Sequence, residues 1–153
     1  MPEFLMLIGM PGSGKSTWVN YNCSPTTHVY CSTDALIEAY AKKQNKTYNE
    51  VFQEHIKEAT KQMNIQMQWA FDNNMSVILD QTNLTKASRA KKLSSVPKNY
   101  YKGCVVIPLP EREEWLRRLD RPGKTIPKFV IENMLKSYEE PTDDEFNEII
   151  RVA

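Results

Sequence analysis

Residues 9–16 read G-M-P-G-S-G-K-S: a glycine, four residues, then Gly-Lys-Ser. That spacing is suited to phosphate. The glycines let successive backbone N–H groups converge on one point, and a helix opening just after them offers its N-terminus to the same anion. Lys15 has the reach for β- and γ-phosphates, and the Ser16 hydroxyl is a ligand for Mg²⁺. Gly9, Pro11, Gly12, Ser13, Gly14, Lys15, Ser16 and Thr17 are the candidate residues for holding a nucleoside triphosphate.

Two carboxylates extend the chemistry. Asp34 follows a β-branched and aromatic run, residues 28–32, and a hydroxyl attacking a γ-phosphorus needs a proton acceptor of this kind. Asp is also a good helix N-cap, so a capping role is the simpler alternative. Asp80 closes the apolar run V-I-L, as a Walker-B carboxylate does when it holds Mg²⁺ through water. Gln81, Thr82 and Asn83 follow it, a composition that equally marks a turn.

The elements needed to position these groups are legible from periodicity. Apolar runs predict strands at residues 4–8, 28–32, 77–79 and 105–109, with an edge strand at 149–152. Between them, helices are expected at 15–20, 35–41, 86–93, 111–119 and from Pro127 to about residue 138. Thr47 and Glu50 form a capping box that opens a helix running to about Asp72. Along it Tyr48, Phe52, Ile56, Ala59, Met63, Met67, Ala70 and Phe71 recur at helical spacing, as core filling. Alternating strands and helices predict an α/β fold with a parallel sheet of four or five strands covered on both faces. Sites in such sheets gather at the C-terminal strand ends, where the glycine loop, Asp34, Asp80 and Pro110 all fall.

Composition narrows the class. A chain of 153 residues suits one domain, residues 1–153, and its net charge of +1 gives no global affinity for polyanions. The charge is nonetheless uneven: residues 86–128 hold 12 Lys or Arg against 4 Asp or Glu. A basic half of this kind is a polyanion surface or simply a solvated face. Cys23, Cys31 and Cys104 have no metal-ligand spacing, and their odd number suits a reducing compartment, cytoplasmic or nuclear. His28 and His55 are expected to be structural. Tyr100 and Tyr101 are candidates for stacking on bases, with core packing the stronger expectation. No apolar stretch approaches membrane-spanning length, so no membrane partner is expected.

The order G-M-P-G-S-G-K-S-T-W, S-T-D-A-L, I-L-D-Q-T-N-L-T-K-A-S-R-A and R-R-L-D-R-P-G-K-T-I-P resembles the kinase domain of 5′-hydroxyl polynucleotide kinases. Bacteriophage kinase-phosphatases and their animal repair counterparts share that order, and the resemblance runs from about residue 4 to residue 145. It implies a P-loop kinase that moves the γ-phosphate of ATP, with Mg²⁺, to the 5′-hydroxyl end of DNA or RNA. It carries the role of general base onto Asp34, and acceptor contacts onto Asp80, Thr82, Asn83 and Arg89. It implies a helical lid at about residues 111–126, with Arg118 and Arg121 closing on the triphosphate beside Lys15. The family usually has Arg where this chain has Thr33, and the phage enzymes have another where it has Ile37. No D-x-D-x-T phosphatase motif occurs, so 5′ phosphorylation is expected without 3′ dephosphorylation. A second resemblance, strongest at I-L-D-Q-T-N, is to the P-loop domain of the heterogeneous nuclear ribonucleoprotein U family. It implies an RNA-interaction module without catalysis. Kinases of small metabolites or nucleotide sugars share the early motifs and form a third class.

Overall fold

Phe4, Met6 and Ile8 point to one side of the first strand while Leu5 and Leu7 point to the other, and all five are buried. A strand with no polar face belongs in the middle of a parallel sheet. The computed structural model, which describes residues 1–152, places it there. The elements run β1 (Glu3–Ile8), α1 (Lys15–Asn22), β2 (His28–Cys31), α2 (Thr33–Lys43), α3 (Tyr48–Asp72), β3 (Ser76–Leu79), α4 (Lys86–Leu93), β4 (Tyr101–Val106), α5 (Arg112–Leu119), α6 (Lys128–Ser137) and β5 (Glu148–Arg151). All pairings are parallel, in the order β2-β3-β1-β4-β5. One face packs on α3 through Met63, Ala70 and Phe71, with Tyr100 and Phe146 completing the layer. The other packs on α1 through Val19 and Trp18.

The capping box forms as the sequence predicts, with Thr47 and Glu50 bonding reciprocally at the start of α3. Cys31 and Cys104 are fully buried, as expected of small core residues. His55 is buried against Tyr40, their rings stacked 3.8 Å apart, and His28 pairs with Glu3 at 2.7 Å. Tyr100 is a core residue whose hydroxyl donates to the Met75 carbonyl. The fourth strand differs from expectation. It spans Tyr101–Val106 rather than residues 105–109, because the six-residue ladder with β1 recruits Lys102 and Gly103 despite their polarity. It stops there because Pro108 and Pro110 have no N–H to continue a ladder.

Arg89 and Asn83 correct the sequence reading more seriously. Arg89 is fully buried. Its Nε and Nη2 donate to the Glu145 carboxylate at 2.8 and 3.3 Å, and its Nη1 donates to the Asn83 carbonyl at 2.9 Å. Asn83, 2% exposed and at φ 49°, donates from Nδ2 to the Leu7 carbonyl at 2.7 Å and accepts from Lys92 Nζ at 2.6 Å. Neither side chain faces an acceptor. Both tie the chain after β3 to β1 and to the segment before β5. Ile37 is buried against Ala41, Val51 and Ala59, so no phosphate-binding side chain belongs at that position.

Removing one partner of a buried ion pair leaves the other charge uncompensated. Arg89→Ala is therefore expected to lower stability by about 3–5 kcal/mol in urea unfolding. Burial also lowers the Lys92 amine to about 8. The unfolded chain then binds more protons than the folded one between pH about 8 and the ordinary lysine value. The Lys92 contribution to stability therefore rises with pH across that window, so the difference in stability between wild type and Lys92→Met should move in favour of wild type as pH increases.

Candidate active site

Gly14 sits at φ 105°, a left-handed conformation that leaves α1 without a side-chain N-cap. The first N–H groups of α1 are thus free for an anion. A cleft of about 940 Å³ opens at that point. Pro11, Gly12, Gly14, Lys15 and Ser16 line it, as do Asp34, Asp80, Thr82 and Arg121. Gly9 lies beneath the loop rather than in the cleft. A Cβ there would stand 2.9 Å from Ser13 Oγ and 3.2 Å from the Ile107 carbonyl. Ser13 is buried under the loop, and Thr17 is exposed on α1 outside the cleft lining.

Lys15 Nζ donates to the Gly9 and Met10 carbonyls at 3.1 and 2.9 Å. Burial lowers its pKa, with Asp80 and Asp34 opposing the shift. Asp80 is 9% exposed and accepts a hydrogen bond from the Tyr30 hydroxyl. Burial raises the Asp80 pKa, while the Tyr30 bond and the Lys15 charge pull it down. The Tyr30 phenol is pushed well up by burial and by its bond to Asp80, so it remains a donor. The Gly9 N–H donates to the Thr82 carbonyl at 3.1 Å and fastens the loop to the segment after β3.

Ser32, not Asp34, caps α2, accepting from the Ala35 N–H at 3.1 Å. The Asp34 side chain is left to the cleft. Its Oδ1 accepts from the Tyr48 hydroxyl at 2.6 Å, and Lys124 Nζ stands 3.5 Å from its Oδ2. Lys124 also pairs with Glu38. Arg121 lines the cleft, and its buried Nε has no partner. Arg118 packs on the loop from outside, its Nη1 donating to the Gly12 carbonyl at 3.4 Å. Trp115 of the same helix donates from Nε1 to the Pro11 carbonyl at 2.8 Å. Arg117 bonds only to Glu114 on the exposed side.

The residues present suit a magnesium–nucleotide. Among the described residues no group of three or more His, Cys, Asp or Glu could cage a cation. Mg²⁺ needs none, because it takes one or two protein oxygens and fills its shell with phosphate and water. Ser16 and Asp80 both line the cleft and carry side-chain oxygens of that kind.

Sequence reasoning did not single out Tyr30, Tyr48 or Lys124 as site residues. Tyr48 carried the apolar stripe of α3 and was read only as core. Nor did that reasoning single out the apolar part of the cleft lining, Phe52 and Ile56 of α3 with Ile126, Val130 and Met134.

A family model described as an AAA domain matches residues 4–141. The chain belongs to that family. A chain of the Pnkp1/Rnl/Hen1 RNA repair complex matches at 26% identity and a TM-score of 0.65, over 89% of this chain and 43% of the other. This chain therefore spans less than half of that relative. A sugar kinase from Janibacter sp. matches at 18% identity and a TM-score of 0.61, over 99% and 85%. Shikimate kinase from Acinetobacter baumannii matches at 17% and 0.55, over 100% and 85%. The last two likenesses are of fold. With the loop and the family match, they give the chain a P-loop domain of the fold that those kinases share.

The turn at residues 121–125 docks on the start of α3. The Asn49 N–H, left without an intrahelical partner, donates to the Gly123 carbonyl at 2.8 Å, and the Asn49 side chain bonds Thr125. Gly123 has φ 72°, and a Cβ on it would stand 2.6 Å from Thr47 Cβ. Gly123→Ala should undock the turn. Hydrogen exchange at the Asn49 amide is the readout, with a rise of roughly tenfold or more expected.

Proposed function

We propose that the chain is an ATP-dependent kinase for the 5′-hydroxyl end of DNA or RNA. The observation that carries this reading is the mixed lining of the cleft. Residues of the phosphate loop share it with the cations Arg121 and Lys124 and the carboxylate of Asp34. Five apolar side chains, Phe52, Ile56, Ile126, Val130 and Met134, line the same space as a wall. A flat, apolar nucleobase suits such a wall, whereas a polyhydroxylated or carboxylated metabolite would leave its polar groups unpaired there. The likeness to a chain of an RNA repair complex agrees with the motif order T-N-L-T-K-A-S-R-A.

On this reading the loop amides and Lys15 grip the β- and γ-phosphates, and Lys15 gives up its bonds to the Gly9 and Met10 carbonyls to do so. Asp34 accepts the proton of the attacking hydroxyl. Ser16, and Asp80 through water, would hold Mg²⁺, which when bound would supply charge neutralisation at the phosphates. Residues 111–126 act as a lid. Arg121 Nε, unpaired at the cleft, and Arg118, already on the loop, are poised to meet the charge that spreads over the transferred group. The acceptor contact expected of Arg89 falls instead to Lys124, the cation of the cleft beside Asp34.

The deciding experiment incubates the protein with γ-labelled ATP, Mg²⁺ and a 5′-hydroxyl oligonucleotide, with gluconate and shikimate as competing acceptors. Label is expected at the oligonucleotide 5′ end. Label only on a small acceptor would place the protein among metabolite kinases, and no label anywhere would favour a nucleotide-binding RNA module. Asp34→Asn should lower kcat by roughly 10²- to 10⁴-fold while ATP affinity is kept. Lys15→Ala should abolish transfer in a folded protein. Arg118→Ala and Arg121→Ala should each lower kcat more than they raise the acceptor KM.

A further inference from the structure

Asp34 is exposed on the second residue of α2, where a carboxylate on a flexible side chain has several rotamers open to it. A base must meet the acceptor hydroxyl at hydrogen-bond range, so something must select one. Tyr48 makes that selection from another element. It is the first residue of α3, fixed there by the Thr47–Glu50 capping box. Its ring is held between Phe52, at a centroid distance of 5.6 Å, and Lys124 Nζ, 4.6 Å from the ring centre. From that clamped ring the hydroxyl reaches Asp34 Oδ1 at 2.6 Å.

We propose that Tyr48 is a positioning residue for catalysis: its hydroxyl pins Oδ1 of Asp34 and thereby presents Oδ2 to the acceptor. The inference rests on Asp34 being the base of the kinase described above. Oδ2 is faced by a single cation, Lys124 at 3.5 Å, which keeps a second partner in Glu38 and so has somewhere to go when an acceptor hydroxyl arrives. The other ionisable groups around the cleft are Lys15 and Asp80 beyond the loop, Tyr30 on β2, and Arg121 on the docked turn. Lys15 bonds the Gly9 and Met10 carbonyls, and Tyr30 and Asp80 bond each other, so Tyr48 is the hydrogen-bond donor to Oδ1. Burial and the bond to Asp34 push the Tyr48 phenol well above its ordinary range, and it stays a donor throughout the working pH range. The step balances: the acceptor O–H proton passes to Oδ2 as its oxygen bonds to the γ-phosphorus, the bond from that phosphorus to the β-phosphate oxygen breaks, ADP leaves with that electron pair, and the phenol proton stays on Tyr48.

The test compares wild type with Tyr48→Phe in the oligonucleotide assay. The variant keeps the ring and its packing and loses only the hydroxyl. Expected is a fall in kcat of roughly tenfold, the worth of one hydrogen bond to a charged group, with KM for ATP and for the oligonucleotide each within about twofold of wild type. A second measurement needs no activity. The NMR resonance of the isotope-labelled hydroxyl-bearing ring carbon of Tyr48, assigned by its loss in Tyr48→Phe, should move toward that of free tyrosine in Asp34→Ala. An active wild type whose Tyr48→Phe variant keeps full kcat overturns the positioning role alone. So does a Tyr48 resonance unmoved by Asp34→Ala. A wild type inert on 5′-hydroxyl ends overturns the acceptor reading on which the role rests.

Discussion

Strand β1 hydrogen-bonds to β3 on one side and β4 on the other, and each group of the cleft takes its place from that three-strand unit. The ladder ends at Ile8 and Val106, and the chain turns at Gly9 because the Ser13 hydroxyl and the Ile107 carbonyl leave no room for a side chain. The Gly9 N–H continues the same hydrogen-bonding direction to Thr82, so the loop and the Asp80 block are fixed relative to each other by backbone alone. β2 joins on the far edge of β3 and delivers Tyr30 to Asp80, and the chain just beyond it delivers Asp34. A one-residue slip in any of these registers would turn a cleft residue into the core.

Electrostatics inside the cleft follow from that geometry. Lys15 and Asp80 are both largely removed from water, and each shifts toward its neutral form while the other resists the change. A cation that is partly desolvated but satisfied by two carbonyls exchanges those bonds for phosphate oxygens at little cost in solvation. The unpaired Arg121 Nε carries the opposite bias. It has been desolvated without compensation, a penalty of roughly 1–3 kcal/mol that an arriving anion would remove. Preorganisation of this kind places the cost in folding rather than in the reaction.

The sheet, the loop and the long α3 were legible because their signals are local: a period, a glycine spacing, a capping box. The placement of Asp34 and Asp80 in the cleft was legible because clefts in parallel sheets open at the strand ends. The errors share a different cause. Arg89 and Asn83 stand in a motif whose chemistry suggested ligand contact, and nothing in the sequence announced that Glu145, 56 residues on, would close over the guanidinium. Tyr48 was hidden for the opposite reason. Its position on the apolar stripe of α3 is correct, but a tyrosine at a helix start has a buried ring and a free hydroxyl, and periodicity reads only the ring. Lys124 lay in a basic run in which no lysine differs from the next until the turn at Gly123 is folded. The end of β4 was readable in retrospect, since two prolines follow it.

The docking of residues 121–125 on α3 ties the two halves of the cleft together. An orphan N–H of α3 is satisfied by the Gly123 carbonyl, so the helix start and the turn stabilise each other. The same turn brings Arg121 into the lining of the cleft and Lys124 to the Asp34 carboxylate. The two cations therefore share five residues of backbone with a left-handed glycine in the middle, and neither can be placed independently of the other. The α3 start that receives this turn also bears Tyr48, so one oxygen of Asp34 accepts from a phenol while the other faces Lys124. That asymmetry orients the carboxylate as solvent alone would not, and it follows from a capping box and a glycine turn well outside the phosphate loop.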